Sequence, residues 1–97
     1  MDQEDLVIFA ELNRDRFDEI TQMLSAHFAD MEFGSQGDDW IWIHLGEDKI
    51  EIDSFYSMSL ELKGKYKHLE IAMQIIQSMD DNWIVQIFDP PKNGRTR

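Results

Sequence analysis

Apolar residues recur along this chain in two rhythms, one of period two and one of period near 3.6. Residues 6–10, "LVIFA", are a short run of branched and aromatic side chains, as in a buried central strand. Asn13 then offers a helix N-cap, with Asp15, Asp18 and Glu19 where the helix dipole favours negative charge. Phe17, Ile20, Leu24, His27, Phe28 and Met31 follow at helical spacing, and residues 14–29 read as an amphipathic helix. A short strand at 31–33 is an option before the loop "GSQGDD" at 34–39. Residues 40–45 and 49–56 alternate as the arms of a hairpin around "GEDK". "MSLEL" at 58–62 continues that strand or forms another. Tyr66, Leu69, Ala72, Met73, Ile76 and Met79 make a second helical stripe. "WIVQIF" at 83–88 is a last strand, which Asp89-Pro90-Pro91 is expected to end because proline cannot donate to a ladder.

The predicted order is therefore β-α-β-β-α-β, with one extra strand as an option. The expected fold class is α+β: a two-layer sandwich with an antiparallel sheet and two helices on one face. A ferredoxin-like, split β-α-β arrangement fits this order. Residues 1–91 are expected to form one domain, and 92–97, "KNGRTR", a flexible basic tail.

Strand parity decides where the tryptophans go. If the hairpin loop has an even number of residues, centred on Glu47–Asp48, then Leu45 faces Ile50 and Ile43 faces Ile52. Trp40 then lies beside Phe55, Trp42 beside Asp53 and His44 beside Glu51. An odd loop would put carboxylates among isoleucines, which is costly. The aliphatic side is the natural floor for the helices, and the indoles fall on the other side. That second side reads as too apolar to be left wet. The helices could instead cover the indoles, two copies of the chain could pair there, or a different protein could dock.

Charge narrows the last option. The chain carries a net charge of −11, and residues 1–61 hold 16 Asp/Glu against 3 Lys/Arg, a balance of −13. Such a chain repels nucleic acid and anionic lipid and attracts basic proteins. Aromatic anchors inside a charged rim have the composition of a binding hot spot. The expected partner-binding residues are Trp40, Trp42 and Phe55, rimmed by Asp38, Asp39, Glu51 and Asp53.

Chemistry beyond binding finds little support. The chain has no cysteine, hence no thiolate nucleophile or disulfide framework. His27, His44 and His68 lack paired ligand spacing, so no metal or other cofactor is expected, and His27 reads as a half-buried packing residue. No serine has an evident histidine and carboxylate set, and no enzyme is expected. "LKGKYKHLE" places Lys63, Lys65 and Lys67 at the start of the second helix, against its dipole. With the glycine they could hold an anion; the plainer reading is that they offset nearby acids such as Glu61. "MDQEDLVIFAEL" does not read as a signal peptide and no run approaches a membrane span, so a cytoplasmic location is expected.

The expectation is a small acidic protein-binding module, an inhibitor of a basic protein in the manner of an immunity protein or antitoxin. A homodimeric regulatory or ligand-sensing domain, paired through the sheet, is the alternative. A nucleic-acid mimic is a third.

Overall fold

The computed structural model describes residues 2–94. Strand β1 (Leu6–Leu12) leads through a 3-10 turn at Arg14–Arg16 into helix α1 (Phe17–His27). A four-strand meander follows: β2 (Met31–Gly34), β3 (Trp40–Leu45), β4 (Asp48–Asp53) and β5 (Leu60–Lys65). A second 3-10 turn at Tyr66–His68 opens α2 (Leu69–Gln77), and β6 (Ile84–Asn93) closes the chain. Among the described residues these strands make one antiparallel sheet in the order β2-β3-β4-β5-β1-β6.

The α+β class and the two-layer build agree with expectation. The ferredoxin-like order is not what forms. Both optional strands exist, so four strands rather than two lie between the helices. One split β-α-β unit remains: β5 and β6 run parallel, joined through α2, with β1 antiparallel between them.

The helix N-cap is where the sequence places it. Asn13 Oδ1 accepts the Asp15 N–H at 3.0 Å, though the first turn is 3-10 and α1 proper begins at Phe17. Phe17, Ile20 and Leu24 of α1 and Ala72, Ile75 and Ile76 of α2 share one core with Ile41, Ile43, Ile50, Ile52, Leu60 and Leu62. The helices thus cover the aliphatic side of the sheet. His27 is exposed rather than packed, and its Nδ1 lies 2.9 Å from the Met23 carbonyl.

The hairpin loop is even but sits one residue earlier than expected. Leu45 pairs with Asp48, so Ile43 faces Ile50, Ile41 faces Ile52, Trp42 faces Glu51 and Trp40 faces Asp53. His44 faces Lys49, not Glu51. The reason is Gly46, which has φ +66°. A two-residue hairpin loop with glycine first suits the twist of its flanking strands, and Gly46–Glu47 is that loop. The slip is two pairings, so every side chain keeps its face.

Two further expectations change. The strand after the hairpin stops at Asp53, and Ser54–Ser59 is irregular backbone. The last strand runs past Asp89-Pro90-Pro91: Lys92 pairs with Ile8, Asn93 with Val7, and the Gly94 N–H donates to the Leu6 carbonyl. The ladder shifts between Ile8 and Ala10, which loops the proline segment out of the pairing. Proline at an edge strand or bulge costs no ladder hydrogen bond. The start of the expected tail is therefore sheet, while residues 95–97 lie outside the described residues.

Candidate functional site

The sheet face opposite the helices carries Trp40, Trp42 and His44 from β3, Lys49, Glu51 and Asp53 from β4, and Glu61 and Lys63 from β5. Trp40 and Trp42 lie outside the helix-covered core and are each partly exposed. Their ring centroids are 4.8 Å apart and tilted by 44°. Gly34, opposite Trp40 on β2, has no side chain to push the indole away: a Cβ there would meet the Trp40 ring at 2.8 Å. Glycine at this position lets the first indole lie down over the neighbouring strand.

The second indole is covered by a cation. Lys49 Nζ stands 3.7 Å from the Trp42 ring centroid and 3.9 Å from Glu51 Oε1. Both contacts follow from the register, which sets Lys49 diagonally across from Trp42 on the same face. Trp42 Nε1 is buried and has no hydrogen-bond partner among the described residues.

The carboxylate rim differs from the sequence picture. Asp53 is not a rim residue: it is fully buried, and its Oδ1 accepts from Lys63 Nζ at 3.0 Å and from the Phe55 N–H at 3.3 Å. Glu61 lies across the strand pair, with Oε1 3.9 Å from the same ammonium. The Ser54–Ser59 segment folds over this triad, and the Tyr56 ring centroid is 4.9 Å from Lys63 Nζ. The β4–β5 part of this face is therefore covered by an internal ion cluster and a loop, and the continuous apolar surface that alternation alone implied does not form.

Asp38 and Asp39 stay partly exposed at the entry to β3. The Asp39 N–H donates to Ser54 Oγ at 3.1 Å, which in turn donates to Asp38 Oδ1 at 3.3 Å. Asp39 also takes the Arg14 Nε–H at 2.9 Å. Phe55 is half-buried and its backbone N–H donates to Asp53 Oδ1; in the strand register it is Asp53, not Phe55, that pairs with Trp40. The structure thus brings Trp40, Trp42 and Glu51 together as a surface, sets Asp38 and Asp39 at its end, and takes Asp53 inside.

The three lysines considered for an anion are each held by carboxylates of the chain. Lys63 belongs to the buried triad. Lys65 lies 2.8 Å from Glu4 and 2.9 Å from Asp48; Lys67 lies 3.0 and 3.2 Å from the same two acids. Hydrogen bonds from Lys65, then His68 and Lys67, hold the Asp48 carboxyl well below the usual carboxylate range. Hydrogen bonds to Glu4 and Asp48 push Lys65 and Lys67 above the usual ammonium range. These carboxylates come from the N-terminal segment and the hairpin, and spacing within "LKGKYKHLE" held no sign of them.

Comparison with protein-family models, with curated proteins and with solved structures returned no match. Among the described residues no helix is long and apolar enough to cross a membrane.

Proposed function

We propose that this protein is a binding module that docks a basic protein on the indole face of its sheet, as an inhibitor of the immunity-protein or antitoxin type would. The observation that carries this reading is the placement of Trp40 and Trp42: both helices lie on the isoleucine side, and the paired indoles lie opposite, partly exposed beside Glu51, Asp38 and Asp39. Aromatic anchors give such a surface its dry centre, and the −11 net charge supplies steering toward a cationic partner.

The test uses a short arginine-rich peptide as probe, with indole fluorescence as readout. Binding should weaken at least about tenfold between roughly 50 and 500 mM salt, because screening shortens the reach of the acidic field. Trp42→Ala should abolish most of what remains. Absence of binding at low salt, or binding unaffected by Trp42→Ala, overturns the reading. A salt-resistant dimer in sedimentation, with the indoles buried between two copies, would replace it with the homodimeric alternative.

A further inference from the structure

We propose that Lys49 is a built-in occupant of the indole site, holding the place that an arginine of the partner takes on binding. The inference rests on the binding reading above and adds a mechanism to it. The Trp42 ring and the Glu51 carboxylate form a two-part cation site, one part quadrupole and one part charge, and an ammonium of the same chain already stands in it.

Lys49 is held more loosely than most of its neighbours. Its carboxylate contact is 3.9 Å, whereas Lys63, Lys65 and Lys67 each have one at 3.0 Å or closer. Beside Lys49 opens a cleft of about 470 Å³ lined by His44, Glu47, Asp48, Glu51 and Lys65. A displaced ammonium can swing into that cleft, where Glu47 and Glu51 offset part of what it loses at the ring.

An arginine competes well for the vacated ring. Its guanidinium is planar, stacks on an indole and is less strongly hydrated than an ammonium. It can reach Glu51 with parallel N–H donors while stacked. Lys49 therefore raises the threshold for binding: a lone weak cation cannot dislodge it, whereas an arginine within a basic surface can.

The experiment compares wild type, Lys49→Met and Lys92→Met, titrated with the same short arginine-rich peptide. Lys92 is the charge-matched control. It lies 4.4 Å over the Phe88 ring and 4.0 Å from Glu11, on a strand three positions from β4 in the sheet. Lys49→Met should bind the peptide at least about fivefold tighter than wild type, and Lys92→Met within about twofold. In wild-type protein the Lys49 ε-methylene protons should be shifted upfield by the Trp42 ring current and lose that shift as peptide saturates the site.

Equal affinities for the two methionine variants, or ε-methylene signals unmoved at saturation, overturn the role of Lys49. Should binding still depend on Trp42 in that case, the docking reading survives and only the occupant idea falls. Should the peptide fail to bind, or bind regardless of Trp42, both fall together.

Discussion

Replacing Lys63 with methionine tests the account of the buried ion cluster beside the indoles. Lys63, Asp53 and Glu61 have side chains exposed by only 4%, 0% and 2%. Removing the ammonium takes away the cation shared by two carboxylates on directly paired residues. Cross-strand partners have Cβ atoms only about 5 Å apart, so their repulsion adds to the loss. Breaking a buried ion pair by removing one partner costs about 3–5 kcal/mol. That is a large share of the roughly 5–15 kcal/mol that holds a domain of this size together. At about 4–8 °C per kcal/mol, the melting temperature should drop by roughly 12–40 °C. Urea unfolding followed by tryptophan fluorescence measures the loss. The methionine keeps the aliphatic stem, so a large effect cannot be charged to lost packing. Adding Asp53→Asn and Glu61→Gln to the same chain should recover most of the stability, and this rescue decides the matter if the single variant does not fold. A Lys63→Met protein within about 1 kcal/mol of wild type would refute the reasoning, for it would mean that water or a relaxed loop solvates the acids.

Three other outcomes follow from the same geometry. Glu4 and Asp48 have folded pKa values depressed chiefly by Lys65, so their contribution is present above the usual carboxylate range and lost as pH falls below about 4; a pH series of urea midpoints should show that loss, and Asp48→Asn should flatten it. Lys65 and Lys67, raised in the folded state, give the opposite sign, stability lost only as pH rises through their elevated values. Gly34→Ala should force the Trp40 ring out of its place, changing the near-ultraviolet dichroism of the indole pair and destabilising by about 1–3 kcal/mol; an unchanged spectrum would contradict the close packing. Truncation after Pro91 should cost at least about 1 kcal/mol in thermal or urea unfolding, since it removes the pairing of Lys92 and Asn93 with β1; wild-type stability would show that this pairing contributes nothing.

Much of the fold was legible because parity is a robust signal. Any even hairpin loop puts Ile41, Ile43, Ile50 and Ile52 on one side, so placing the helices over them did not require the right loop. The register itself was one glycine away: Gly46 at the first loop position selects Gly46–Glu47, and weighing turn type above loop centring would have found it. The strand past the prolines was harder. A proline pair is a sound stop signal for a central strand, but β6 is an edge, and its ladder with β1 skips from Ile87 to Lys92. Nothing in "DPPKN" announces that it will rejoin a partner.

Strand parity was enough to place Trp40 and Trp42 opposite the helices, whereas the charges around them were misleading. Composition counts acids without saying which ones face inward. Asp53 belongs to Lys63, and Asp39 to Arg14. Such pairing cancels charge locally, yet leaves the net −11 of the chain intact. Long-range steering depends on that sum, while anchoring depends on which groups remain open at short range. The two properties therefore reside in different residues. Exposed acids such as Asp30, Glu32 and Glu47 add to the field from outside the buried cluster, whereas in the proposed docking the contact would fall to Trp42 and Glu51, the pair that already holds a cation. A variant that neutralises Asp53 would report on folding, not on recognition, and an acidic count taken as a measure of binding surface would conflate the two.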